Sequence, residues 1–252
     1  MTRTLARPQV RELAPFSYND YANGRNFSGE TDLELTKITN ADLRFEFFPT
    51  LKEVAAFSVF YKHFVDPIEP ILIPSGSQPV GTFRNAEGAD LIGLEFEARK
   101  TLDVLAQALK DFTLIANFTL AHSRIQVVEG ETEQFVTNPS RPLVQQAPWV
   151  LNLALDYQSP GGTGVRALYN VVGRRIVDVG TQGLSDIYEQ PRHVIDLTFS
   201  QDFLDHFQVK ITARNLLNSP VRWTQGKSND DEMLTRDYST GSVYTLSLAY
   251  NY

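Results

Sequence analysis

The chain has 252 residues, 42% of them hydrophobic, with a net charge of −7 and no cysteine. That length suits one large all-β unit or two small domains, and the missing thiols exclude disulfides, thiolate metal sites and a cysteine nucleophile. The acidic balance argues against wholesale nucleic-acid binding, and no run approaches the ~20 apolar residues of a spanning helix.

Met1–Leu13 carries Arg3, Arg7 and Arg11 without an apolar core, so it does not read as a secretory signal. From Ala41 the chain alternates. Ala41, Leu43, Phe45 and Phe47 fall on one side, and Asp42, Arg44 and Glu46 on the other. A short turn over Pro49–Lys52 leads into Glu53–His63, with Ala55, Phe57, Val59 and Tyr61 opposite Ala56, Ser58, Phe60 and Lys62. Period-two alternation on both sides of a tight turn predicts a hairpin. Val65–Gly88, rich in Pro, Gly and Ser, reads as a long loop.

Asp90–Lys100 sets Ile92, Leu94, Phe96 and Ala98 against Gly93, Glu95, Glu97 and Arg99. Thr101–Leu109 reads as a short connection with a helical turn. It is followed by Phe112, Leu114, Ala116, Phe118 and Leu120 in alternation, then the loop Val127–Pro142. Trp149, Leu151, Leu153, Leu155 and Tyr157 form an apolar set with aromatics at both ends, opposite Val150, Asn152, Ala154 and Asp156. The turn Gln158–Gly162 precedes Val165, Ala167, Tyr169 and Val171, which alternate with Arg166, Leu168 and Asn170. After the loop Asp178–Gln190 come His193, Ile195, Leu197 and Phe199. A connection at Asp202–His206 leads to Phe207, Val209, Ile211 and Ala213, opposite Gln208, Lys210, Thr212 and Arg214. The loop Ser219–Ser239 precedes the last strand, where Tyr244, Leu246, Leu248, Tyr250 and Tyr252 share one face.

Alternation fits a soluble sandwich and a membrane barrel alike, since both have one wet face and one greasy face. Two features favour the barrel. Aromatics bracket the aliphatic residues of the greasy face, as the two headgroup levels of a bilayer require, and short turns alternate with long loops. The short turns would then face the periplasm. The lumen would be lined by Arg44, Glu46, Glu95, Glu97, Arg99, Asp156, Arg166, Lys210 and Arg214.

Several stretches in this order resemble the C-terminal part of TonB-dependent outer-membrane receptors. They are Ala6–Pro15, Asp42–Phe48, Phe57–Phe64 with Asp66-Pro67-Ile68-Glu69, Leu91–Lys100, Pro148–Tyr157, Ala213–Asn218 and the strand ending at Tyr252. The resemblance implies an antiparallel transmembrane β-barrel in the bacterial outer membrane. About nine clear strands plus a partial one at Thr2–Arg7 make this chain, residues 1–252, roughly ten strands of a larger barrel. An N-terminal plug and its energy-coupling segment would be missing. The family further implies outer-membrane lipid, barrel-assembly machinery acting through the C-terminal strand, and an inner-membrane energy-coupling protein as partners. The cargo would be a scarce small molecule: siderophore-iron, cobalamin or an oligosaccharide.

No catalytic constellation is legible. His63, His122, His193 and His206 lie on separate segments without paired ligand spacing, so no metal and no cofactor are expected. Glu95 and Glu97 stand beside Arg99 and read as lumen charges in a salt-bridge network. Loop residues Tyr18, Tyr21, Arg25, Arg84 and Trp223 are the ligand-binding candidates. A passive pore or adhesin on a similar barrel, and a soluble carbohydrate-binding β-sandwich, are the alternative readings.

Overall fold

The computed structural model describes residues 1–20, 25–73, 75–76, 79–127, 136–204, 206–226 and 232–250. In chain order, β1 (Thr2–Ala6) is followed by the single turn of helix α1 (Val10–Leu13), β2 (Ser17–Asp20), β3 (Arg25–Ser28), β4 (Thr36–Phe47), β5 (Val54–Val65), β6 (Ile68–Ile73) and β7 (Val80–Asn85). Next come β8 (Gly88–Thr101), β9 (Phe112–Gln126), β10 (Trp149–Gln158), β11 (Thr163–Val172), β12 (Arg175–Asp178) and β13 (Ile187–Glu189). The chain continues through β14 (Arg192–Phe203), β15 (Phe207–Arg214), β16 (Val221–Gln225), β17 (Met233–Tyr238) and β18 (Val243–Tyr250).

Ten strands form one antiparallel sheet in the order β1-β4-β5-β8-β9-β10-β11-β14-β15-β18. It is open, with β1 and β18 as its edges. The register carries the alternation across every strand. Phe45 pairs with Phe57, Phe57 with Phe96, Phe96 with Phe118, and Phe118 with Leu151. Leu155 continues through Ala167, Leu197 and Ala213 to Tyr244. Because a one-residue slip would invert a strand's faces, this register gathers the large apolar side chains onto one continuous surface. Aromatic contacts stitch it: Phe57–Phe96 at 4.9 Å, Phe112–Tyr157 at 4.8 Å and Phe207–Tyr250 at 5.0 Å between ring centroids.

No second sheet covers that surface among the described residues. Leu43 is 74% exposed, Phe45 68%, Leu246 68% and Leu248 73%. In a sandwich these side chains would form the core. Leaving each in water would cost about 1.5–3 kcal/mol of available transfer energy, so the surface calls for an apolar surround. No described helix is long and apolar enough to cross a membrane, which leaves spanning by strands untouched.

The turn end is compact. The connection after β8 contains two 3-10 turns, Leu102–Val104 and Gln107–Leu109, as the sequence suggests. Gly162 closes the β10–β11 turn at φ +78, and an added Cβ there would lie 2.8 Å from the Asp202 Cβ.

At the loop end the structure departs from the sequence reading. Val65–Gly88, Asp178–Gln190 and Ser219–Ser239, read as loops, contain strands, and so does the stretch that holds the loop candidates Tyr18 and Arg25. They assemble into two small sheets, β2-β3-β7-β6 and β12-β13-β16-β17. Proline obscured β6: Pro70 sits within it, opposite Phe83, and is tolerated because β6 is an edge strand. The buried clusters also lie at this end. One joins Ile71, Val136 and Val179, and the other Ala86, Ala89 and Ile125 with Phe64 and Leu143 packed against it.

Candidate functional site

The polar face of the large sheet carries a ladder of charges. Arg44 contacts Glu46 at 2.5 Å and Glu97 at 2.7 Å, and donates to Ser58 Oγ at 3.2 Å. The register explains the cluster: Arg44 lies opposite Ser58 and Ser58 opposite Glu95, with Glu46 and Glu97 one row turnward. Asn117 donates to Glu95 at 2.9 Å, and Asn170 donates to Asn152 at 2.6 Å. Arg166 grips Asp156 with two nitrogens at 2.6 and 2.7 Å. Arg99, Lys210 and Arg214 share this face and make no ion pair or side-chain hydrogen bond among the described residues. The register puts these charged residues on one face of the sheet.

At the loop end this face opens into a cavity of about 620 Å³. Thr36, Ile38, Phe64 and Leu91 of β4, β5 and β8 form its floor. One wall is built by Ile68–Pro70 with Phe83, and another by Leu143–Gln146. Arg7, Gln9, Arg11 and Glu12 form the rim. The rim is held in place by α1, where Gln9 and Glu12 cap each other, with Glu12 accepting from the Gln9 N–H at 2.8 Å. Arg7 and Arg11 are exposed and make no ion pair among the described residues.

The walls rest on buried polar contacts. Arg141 donates to Glu69 at 2.6 Å, both side chains being almost fully buried. The second Glu69 oxygen accepts from the Val144 N–H at 3.1 Å. Ser123 Oγ accepts from the Leu143 N–H at 3.0 Å and donates to Gln146 at 2.6 Å. Just before β13, Asp186 is buried and accepts from Asn138 at 2.9 Å and from the Gly180 N–H at 2.7 Å. Burial pushes the Tyr188 hydroxyl pKa up, with the Asp186 charge adding to it, while Arg174 lies 3.9 Å over the ring.

The described loop candidates fall on the two small sheets. Tyr18 stacks on Phe27 at 6.2 Å between centroids, and Arg84 lies 3.9 Å from Glu30; both belong to the β2-β3-β7-β6 sheet. Arg25 begins β3 of that sheet. Trp223 belongs to the other small sheet, with Arg236 4.8 Å over its ring. Tyr21 lies outside the described residues, as does Tyr252. Tyr18, Arg84 and Trp223 are not among the residues that line the cavity. The lining residues Arg7 and Arg11 had a visible signal, the basic spacing at the chain's start. Gln145 and Gln146 had none. Among the described residues no group of three or more His, Asp or Glu is placed to hold a metal.

The family model described as TonB dependent receptor-like, beta-barrel matches residues 2–216. The chain belongs to the TonB-dependent receptor β-barrel family. No curated protein matches it in sequence. Solved structures match in fold. A variant of the ferric enterobactin receptor of Pseudomonas aeruginosa aligns with TM-score 0.61 at 15% identity, over 98% of this chain and 37% of its own. The siderophore receptor PirA of the same organism aligns with TM-score 0.58 at 16% identity, over 98% and 38%. The ferric yersiniabactin uptake receptor FyuA of Yersinia pestis gives 0.58 at 15% identity, over 90% and 31%. This chain thus spans less than two-fifths of the length of these receptors. The open sheet of the TonB-dependent family member described here is correspondingly part of a barrel rather than a closed one.

Proposed function

We propose that this chain is the C-terminal part of an outer-membrane receptor barrel for energised uptake of a scarce nutrient, with ferric siderophores as the cargo class. The observation that carries the membrane reading is the continuous, uncovered apolar face of the ten-stranded sheet. An open sheet edge in hydrocarbon leaves backbone groups unsatisfied at several kcal/mol each. The edges β1 and β18 therefore belong against further strands of the complete receptor. On this reading Arg44, Glu46, Glu95, Glu97, Arg99, Asp156, Arg166, Lys210 and Arg214 line the lumen around an N-terminal plug. An inner-membrane protein supplies the energy, and the C-terminal strand engages the assembly machinery.

The cargo class is supported by the fold neighbours, which include receptors named for ferric enterobactin and ferric yersiniabactin. It is also supported by the mouth, where Arg7 and Arg11, without an ion pair among the described residues, line a cavity of about 620 Å³. Free guanidinium groups suit an anionic chelate better than neutral cobalamin or a sugar. The test is uptake of radiolabelled ferric catecholate, ferric phenolate, cobalamin and maltodextrin by iron-starved cells. Cells with and without the complete receptor would be compared, each with and without a protonophore. Receptor-dependent, protonophore-sensitive uptake of a ferric chelate is expected. Protonophore-insensitive uptake would establish a passive pore, and uptake of cobalamin or maltodextrin alone would replace the cargo class.

A further inference from the structure

The apolar face changes character near its loop end. His63, Asp90 and Arg124 stand side by side in one row across β5, β8 and β9. The next row toward the turns is Tyr61, Ile92 and His122, and the rows after it are purely apolar: Val59, Leu94, Leu120, then Phe57, Phe96, Phe118. All share the face assigned above to lipid. His122 lies about ten residues up β9 from Phe112. At about 3.3 Å per residue and a tilt of about 40°, that is roughly 25 Å from the turn end, where the apolar band of such a barrel gives way to headgroups.

The charges in this patch are unevenly engaged. Asp90 accepts from the Tyr61 hydroxyl at 2.6 Å and lies 2.8 Å from His63 Nδ1. Lys37, in the row above, is paired with Asp66 at 3.2 Å. Arg124 donates through Nε to Ser140 at 2.9 Å, and its two terminal nitrogens have no partner among the described residues. His122 is exposed and has none either. Directly turnward of these two side chains runs an open groove of about 420 Å³, walled by Ile92, Leu94, Leu120 and Pro148, with His122 at its upper end. A guanidinium and an imidazole with no further partner among the described residues, at the head of an apolar groove, match one kind of occupant in charge and polarity.

The geometry points to a binding site for a phosphate-bearing acylated lipid, its chain in the Ile92–Leu94–Leu120–Pro148 groove and its phosphate on Arg124 and His122. The guanidinium offers the planar fork that fits phosphate oxygens, and the imidazole supplies a second donor from the adjacent row. This site rests on the membrane reading proposed above. It adds that the surrounding lipid is not uniform solvent, because one molecule is held at a fixed position.

The test is native mass spectrometry of the complete receptor in detergent, with three probes: dioleoyl phosphatidylglycerol, dioleoylglycerol and glycerol 3-phosphate. The wild type should retain one phosphatidylglycerol. In the double variant Arg124→Gln/His122→Gln that affinity should fall by roughly tenfold, with dioleoylglycerol binding unchanged. Both positions are exposed, and reconstitution into vesicles reports that the variant has folded. Equal phosphatidylglycerol affinity in a variant that reconstitutes would overturn the site and leave the membrane reading intact. Equally tight binding of glycerol 3-phosphate would replace it with a site for free phosphate esters. Failure of the wild type to enter vesicles would instead remove the membrane reading on which it rests.

Discussion

Glu69→Gln should loosen the wall of the mouth without unfolding the sheet. Glu69 is buried, with one oxygen on Arg141 at 2.6 Å and the other on the Val144 N–H at 3.1 Å. Apart from Glu69, Arg141 is bonded among the described residues only to the Pro142 carbonyl at 3.3 Å, and its Nε has no partner there, so the variant leaves its charge without a counter-ion. Removing one member of such a pair strands a buried charge, at a cost of about 3–5 kcal/mol. The contacts join β6 to Arg141, at the end of the Val127–Pro142 stretch, and to Val144 just beyond it, so the loss falls on local opening of that segment. A change of about 3 kcal/mol corresponds to roughly a hundredfold faster amide exchange. Hydrogen-exchange mass spectrometry of the complete receptor would read it on peptides covering 136–148. Exchange in β14 and β15 should not change. The double variant Glu69→Leu/Arg141→Met removes both charges and should recover much of the protection. Unchanged exchange in Glu69→Gln would refute the inference that this pair holds the wall.

Gly93→Val should be severely destabilising, because an added Cβ would lie 2.2 Å from Phe60 Cζ and 2.7 Å from the Leu120 carbonyl oxygen. Overpacking of this kind costs about 1–3 kcal/mol or more, which denaturant titration of the reconstituted protein would measure, and Phe60→Ala in the same chain should relieve part of it. Lys100 and Thr101 hold the Glu53 carboxyl at the turn end down to about 2 from its ordinary 4.5. A depressed folded-state value gives stability that is present above 4.5 and lost as pH falls toward 2. Glu53→Gln should flatten the stability profile in that window, and an unchanged slope would show that the pair does not act. Leu153→Arg, on the apolar face of mid-β10, should cost about 2–4 kcal/mol in a bilayer, whereas Asn152→Arg on the opposite face should cost far less; equal losses would contradict the facing.

The ten-stranded sheet was legible because alternation is a local signal and each strand carries it in its own residues. Leu153 and Asn152 declare opposite faces without reference to any neighbour. The small loop-end sheets were not legible. Strands such as Ile187–Glu189 and Ser17–Asp20 are too short to establish a period, and Pro70 disguises β6. The mouth was illegible for a different reason. Arg7, Phe83 and Gln146 converge on one cavity from segments far apart in sequence, and only tertiary pairing places them together. The histidines show both cases. They look scattered along the chain, yet His63 and His122 fall in adjacent rows of the same patch once β5, β8 and β9 are in register.

The most direct test of the lipid-facing assignment is single-cysteine labelling, which the 252 residues of this chain, free of cysteine, do not themselves obstruct. Spin labels placed one at a time along β10, from Trp149 to Gln158, would be read in vesicles by their accessibility to oxygen and to a water-soluble nickel chelate. Positions 151, 153 and 155 should favour oxygen and positions 152, 154 and 156 should not, in strict alternation. Alternation with the opposite phase, or full access of both sets to the nickel chelate, would contradict a sheet whose apolar face meets hydrocarbon.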